Sequence, residues 1–326
     1  MKQARFSSVI LLGLGFLLAP AATQGQQAER TFHLGWLGFS SAPMYKTYTA
    51  AYRDALRTLG YEEGRNYTID FRFADGDYAR LPALAGELAA RKEDLILASS
   101  EPSLVAVMEA GAGIPVVVVA CDPLEKLLGS IRRPGGNATG FSCVSHDLVG
   151  KRIGFLKELV PGLSRIALLY GGSEATEAEL TEAEGVARAI GVEATRFPIR
   201  TADDVDAVMN AIASGHQQAV YIFTNALTSF TRARLAQQAL ALRLPAIFGF
   251  REFAEAGGLI SYGADLIDGF QRAAYFTARI LKGTRPSDLP AEEPTRFYLT
   301  INQKTAAALG IQIPPTLLVA ADRVIE

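Results

Sequence analysis

The chain has 326 residues, 49% of them hydrophobic and 20% charged, with a formal net charge of −2. That length allows two domains of ordinary size with sizeable cores and no need of disulfide staples. No Lys/Arg cluster marks one face, which argues against nucleic acid as a partner.

The first stretch is not part of the fold. Lys2 and Arg5 supply a positive n-region, and Val9–Ala19 is an apolar run too short to span a bilayer. Ala19-Pro20-Ala21 then offers a small-residue cleavage pattern. This reads as a secretory signal peptide cleaved near Ala21. Cleavage removes two bases and no acid, taking the net charge from −2 to −4. No Cys lies near the cleavage site, so the expected product is exported, free of a lipid anchor. Cys121 and Cys143 both remain. In an oxidising compartment they form a disulfide or stay as two small buried hydrophobes; sequence cannot fix the separation that decides this.

From Thr31 short apolar runs alternate with amphipathic helices. Thr31–Phe39 is a strand and Tyr45–Leu59 a helix closed by Gly60. Asn66–Phe73 alternates with period two, as a strand at or near a sheet edge does. Tyr78–Arg91 is a helix, Asp94–Ser99 a buried strand, Pro102–Ala110 a helix and Pro115–Ala120 a fully apolar strand. A turn at Arg133–Asn137 leads into strand Ala138–Val144 and helix Asp147–Leu159.

The pattern then repeats. Strands are expected at Arg165–Tyr170, Glu193–Ile199, Ala219–Phe223 and Pro245–Phe250. The helices between them are Glu174–Ile190, Ala202–Ser214 and Arg232–Arg243. Next come a short helical turn at Glu252–Ala256, a strand ending in Ser261-Tyr262-Gly263 and helix Leu266–Lys282. A Pro-containing link, strand Thr295–Ile301, helix Gln303–Leu309 and a tail complete the chain.

The order predicts an α/β protein of two Rossmann-like lobes with parallel sheets and right-handed crossovers. Residues 31–145 plus 252–284 are assigned to lobe 1, and 146–251 plus 285–326 to lobe 2. The chain then makes three hinge crossings, near Ser145, Arg251 and Arg285.

Enzymatic motifs are missing. There is no G-x-S-x-G elbow, no Walker loop and no G-x-G-x-x-G after the first strand. His33, His146 and His216 show no ligand spacing and neither cysteine sits in C-x-x-C, so no catalytic residue, metal or cofactor is expected.

In open parallel sheets ligands sit outside the carboxyl ends of the strands. Those ends offer Phe39 and Ser40, Ser99 and Ser100, Asp122, Ser142, Ser173, Asn225, Arg251, Tyr262 and Asp265. Ser100 either caps the helix that Pro102 opens or leaves free N–H groups for a carboxylate. Asp122 receives a ligand amine or caps its own turn. Arg251 clamps a ligand carboxylate or braces the hinge through Glu252 or Asp265. Phe39 and Tyr262 sandwich an aromatic ligand or belong to the core, whereas Trp36, mid-strand, is assigned to the core.

Several stretches carry a resemblance: GYEEGRNYTIDFRFADGD (Gly60–Asp77), RPGGNATGFS (Arg133–Ser142), FREFAEAGGLISYGAD (Phe250–Asp265), ILKGTRPSDLPAEEPTRFYLTIN (Ile280–Asn302) and PPTLLVAADRVIE (Pro314–Glu326). The whole mature chain resembles the extracytoplasmic substrate-binding proteins of ABC transporters, in the subgroup similar to tryptophan/tyrosine-binding lipoproteins. The resemblance implies the periplasmic-binding-protein type I architecture, a ligand between the lobes, and a membrane permease with its ATPase as partners. Two departures stand out. No lipobox Cys is present, which fits a periplasmic protein, and Glu101 follows the two serines where aromatic-amino-acid binders carry a Ser/Thr-rich run.

The expectation is a monomeric, non-catalytic protein that binds a small organic solute by hinge closure for an ABC importer. An aromatic amino acid, or an aromatic or carboxylic acid, is the expected solute. The alternatives are a ligand-binding sensor subunit for a receptor kinase and, further off, an exported α/β enzyme.

Overall fold

The computed structural model describes residues 30–111, 113–121, 124–143, 148–171 and 176–326, apart from the side chains of Lys126 and Thr176. The expected signal peptide lies outside them. So do Asp122 and Ser173, two of the expected site residues, and the expected crossing near Ser145.

The strands are β1 Phe32–Gly38, β2 Tyr67–Phe73, β3 Leu95–Ala98, β4 Val116–Ala120, β5 Ala138–Ser142, β6 Arg165–Gly171, β7 Glu193–Ile199, β8 Ala219–Ile222, β9 Ala246–Phe248, β10 Ile260–Gly263, β11 Tyr298–Asn302 and β12 Arg323–Ile325. The helices are α1 Ala42–Thr58, α2 Leu81–Ala90, α3 Glu101–Glu109, α4 Glu125–Leu128, α5 Leu148–Leu159, α6 Thr176–Ala189, α7 Asp204–Ser214, α8 Ala226–Phe230, α9 Arg232–Ala241, α10 Arg251–Glu255, α11 Leu266–Leu281, α12 Gln303–Leu309 and α13 Pro315–Ala320.

Two sheets result, in the orders β2-β1-β3-β4-β5 and β12-β11-β10-β9-β8-β6-β7. The first is parallel throughout; in the second only the β10–β11 pair is antiparallel. β3 and β4 are buried at every residue, as their continuous apolar sequences require of strands covered on both faces. β2 is half-exposed and sits at the sheet edge, where its alternating pattern put it.

α1 buries Tyr45, Tyr48, Tyr52 and Leu56 on one stripe and packs along α11. Gly269 lets α11 lie close to β5: a Cβ there would come within 2.9 Å of Phe141. Trp36 is fully buried, stacked on Phe270 at 5.4 Å and edge-on to Tyr52, so it is core as expected. One apolar cluster runs unbroken through both sheets, including Leu37 and Val118 of the first and Leu169 and Ile222 of the second.

Two crossings differ from expectation. Residues 252–263 were assigned with the first lobe, yet β10 pairs with β9 (Ile260↔Ile247, Ser261↔Phe248) and with β11 in the second sheet. α10 is therefore a one-turn crossover between neighbouring parallel strands, and the passage near Arg251 falls instead between Gly263 and Leu266, where α11 starts toward β4 and β5. The passage near Arg285 also comes later. Thr139 Oγ1 donates to the Leu289 carbonyl, and residue 292 exchanges backbone bonds with Gly140 and Ser142. The chain stays beside β5 to Glu292 before reaching β11.

Cys121 and Cys143 form a disulfide between the carboxyl ends of the adjacent strands β4 and β5. Parallel pairing brings their Cα atoms to 4.7 Å.

Candidate functional site

The carboxyl ends of the two sheets face one another, and a cavity lies where they meet. It holds about 590 Å³ of non-protein space, part of it open to solvent. The first sheet contributes Ser40 after β1, Ser99 and Ser100 after β3, and Cys121 after β4. The second contributes Asn225, Ala226, Ser229 and Arg232 from the segment after β8. Met44, Tyr45 and Tyr48 of α1, with Leu266 and Phe270 of α11, supply the apolar wall.

Four expected residues thus meet at one place: Ser40, Ser99, Ser100 and Asn225. Each of the last three also holds local structure. Ser99 Oγ donates to the Leu37 carbonyl (3.2 Å), while its own carbonyl accepts from the Tyr45 hydroxyl (3.3 Å). Ser100 caps α3 by accepting from the Ser103 amide (3.2 Å). Asn225 caps α8 through Thr228 N (2.9 Å) and donates to Gly171 O (3.3 Å). Of the two roles left open for Ser100 the structure shows the cap of α3, and it also places the residue at the cavity wall.

Five expected residues lie elsewhere. Phe39 is fully buried against Tyr78 (4.2 Å between centroids) and Phe230 (6.1 Å). Tyr262 packs edge-on to Phe155 in the second lobe, with Lys151 over its ring. The aromatic sandwich of Phe39 and Tyr262 therefore does not form, because each ring is taken up by packing against other rings. Ser142 is buried at the end of β5, its amide bonded to Glu292 O. Arg251 Nη1 donates to Asp265 Oδ2 at 2.7 Å, and Asp265 caps α11 through the Ile267 amide. This pair braces the passage into α11 outside the cavity. Glu101 opens α3 but turns toward a surface groove with Tyr78 and Glu109.

The sequence reading missed Tyr45, Tyr48, Phe270 and Arg232. The tyrosines follow the 3.6 period of a core stripe, and Phe270 sits on the strongly amphipathic α11; spacing alone does not separate core from cavity wall. Phe270 stacks between Tyr48 (5.0 Å) and Trp36 (5.4 Å), so this aromatic stack forms part of the cavity wall. Arg232 donates to the Ser229 carbonyl (3.1 Å) and has no acidic partner among the described residues.

Tyr48 and Arg232 also border a separate charged recess lined by Arg251, Glu252 and Glu255. Burial pushes the Glu252 carboxyl above its ordinary value, against the pull of its own backbone amide, the Tyr48 hydroxyl and Arg251. Burial and then the nearby Glu252 charge raise the Tyr48 hydroxyl. Among the described residues no three His, Cys, Asp or Glu side chains converge as a metal site. The arrangement offers an aromatic wall, several hydroxyls and one guanidinium, and among the described residues no nucleophile–base pair stands at the cavity.

The chain is similar over 261 residues, at 27% identity, to a tyrosine-binding protein of Clostridioides difficile, covering 79% of this chain and 75% of that one. A conserved domain protein of Vibrio cholerae superposes with a TM-score of 0.84 at 26% identity, over 90% of this chain and all of that one. An L-Trp-bound ABC domain from Streptococcus pneumonia shares the fold at a TM-score of 0.83 and 24% identity, over 90% and 100% of the two chains. A ligand-free, open substrate-binding protein from Clostridium difficile, also 24% identical and matched over 90% and 99%, superposes at only 0.64. The model of ABC transporter substrate binding proteins matches residues 39–325. The family is one of binding proteins rather than enzymes, and the chain belongs to it.

Proposed function

We propose that the protein captures a small organic solute carrying an aromatic or apolar body and a carboxylate, with an aromatic amino acid foremost, in the cavity between its two sheets. Closure of the two halves buries the solute, and the closed form hands it to an ABC permease and its ATPase outside the cytoplasm. One observation carries the reading. The stacked pair Tyr48 and Phe270 lies in the same cavity as Arg232, a guanidinium with no acidic partner among the described residues. An aromatic wall beside a guanidinium with no acidic partner among the described residues suits a ring with a carboxylate. The tyrosine-binding relative supports the same class of solute.

Thermal-shift measurement across amino acids, aromatic acids and sugars tests this, because a ligand that binds only the native state raises the melting temperature. Aromatic L-amino acids, or failing these aromatic carboxylates, are expected to give the largest rises. A response confined to sugars or other uncharged solutes overturns the reading.

A further inference from the structure

The disulfide is built into the cavity wall. Cys121 follows β4 and lines the cavity together with Ala120 and Val119. Its partner Cys143 follows β5 and is buried, with 5% of its surface exposed. The bridge is the next rung beyond the last paired residues of the two strands, Ala120↔Ser142. The Cys143 amide donates to the Ala120 carbonyl there at 2.8 Å. Cys121 is only partly buried, so the cysteine at the cavity wall is also the more accessible of the two.

The surroundings give this bridge leverage over the cavity. β5 is the edge strand of the first sheet, held by β4 on one side and by the bridge to Glu292 on the other. The end of an edge strand opens locally at low cost. From Cys143 the chain goes on to α5, which packs on β8, β9 and β10 of the second sheet. The disulfide therefore fastens a cavity-wall residue to the point where the chain leaves the first sheet for the second. The ladder from Val116↔Ala138 to Ala120↔Ser142 does not need it, so reduction loosens the wall without dismantling the sheet.

We propose that the Cys121–Cys143 disulfide is a redox-controlled wall of the binding cavity. Oxidised, it holds the ends of β4 and β5 in the shape that receives the solute. Reduced, those ends loosen, binding has to order them again, and affinity falls. The reductant is a dithiol. One of its thiolates attacks Cys121 through the cavity, forming a mixed disulfide and expelling the Cys143 thiolate, which takes up a proton. The second thiolate of the reductant attacks the reductant's own sulfur in that mixed disulfide. Cys121 leaves as a thiolate and is protonated, and the reductant departs as its disulfide. A solute in the cavity blocks the first attack, so occupancy and oxidation support each other. The inference rests on the cavity being the solute site proposed above, not on the class of solute.

Hydrogen–deuterium exchange of the ligand-free protein, oxidised and after reduction with dithiothreitol, tests the wall. Faster exchange is expected at the carboxyl ends of β4 and β5, with β6 and β7 of the second sheet unchanged. The double variant Cys121→Ser, Cys143→Ser should reproduce the reduced pattern without reductant. Calorimetry with L-tyrosine, below the melting temperature of every form, is expected to give about five- to tenfold weaker binding in the reduced protein and in the double variant. If only the empty cavity admits the reductant, L-tyrosine at about twenty times its Kd slows reduction about twentyfold, read by alkylation and mass. Equal exchange in the two redox states overturns the proposal, as does equal affinity in two forms that both bind. A reduction rate that L-tyrosine does not change while it is bound overturns attack through the cavity. If L-tyrosine binds neither form while exchange still differs, the aromatic amino-acid reading fails and redox control of the wall stands.

Discussion

The ring of Phe230 lies directly against Gly76. A Cβ added at residue 76 would stand 2.3 Å from Phe230 Cε1, and Gly76 itself has φ +87°. Gly76 follows β2 of the first sheet, whereas Phe230 ends α8 after β8 of the second. The same ring meets Phe39 edge-on, so an aromatic expected to hold ligand instead receives a wedge from the opposite half. If the halves hinge as proposed, this contact forms only when they come together. Gly76→Ala places a methyl where the wedge sits and strains the backbone by about 1–2 kcal/mol in either state. Affinity for L-tyrosine is expected to fall at least about tenfold, because closure carries the additional clash. Phe230→Ala in the Gly76→Ala background should restore part of it. Unchanged affinity in Gly76→Ala, measured by calorimetry, means the wedge does not report closure.

The Arg251–Asp265 pair makes a separate prediction. Asp265 caps α11 and is largely buried, so removing its guanidinium leaves a carboxylate short of a partner at the point where the chain enters that helix. Arg251→Ala is expected to lower unfolding stability by about 1–3 kcal/mol. Affinity should change less than threefold, since Arg251 does not line the aromatic cavity. Urea denaturation and calorimetry on the same preparation separate the two effects. A large affinity loss with normal stability would make Arg251 a ligand contact after all.

The disulfide predicts a redox response. Cys121 and Cys143 close a loop with a sequence separation of 22 residues, and such a loop stabilises by about 3 kcal/mol through the unfolded chain. The double change of Cys121 and Cys143 to Ser should lower the denaturation midpoint accordingly. Titration in denaturant should find no free thiol without reductant and two with it. Cys121 also lines the cavity, so the pair ties its wall to the end of β5.

These outcomes rest on contacts of unequal visibility in the sequence. The buried strands β3 and β4 were plain as unbroken apolar runs, and edge strand β2 as an alternation, because burial on two faces or one writes itself into composition. β10 was assigned to the wrong sheet. It has four residues, and which neighbour so short a strand joins is fixed by pairing with β9 and β11, which periodicity does not encode. In the site, Ser40, Ser99, Ser100 and Asn225 were legible because they stand at strand ends. Arg232 was not: it follows β8 by a whole short helix, α8, before turning back to the cavity. Tyr48 was hidden for another reason. Its ring completes a helical core stripe and also lines the cavity, a double role that spacing reports only as core.

Glu252 gives the last prediction, in pH. Burial raises its folded-state carboxyl above the ordinary 4.5. A raised carboxyl favours the folded state below the unfolded value and loses that contribution as pH rises through the folded value. Glu252→Gln removes the cost of charging a largely buried group while keeping a partner for the Tyr48 hydroxyl. Without ligand the variant is therefore expected to match the wild type near pH 4 and to grow relatively more stable as pH rises above 4.5. Melting curves recorded across that range check the sign. A variant that is instead less stable at neutral pH would show the carboxylate already well compensated in the unliganded protein. In that case the Glu252 carboxylate has a structural role alone.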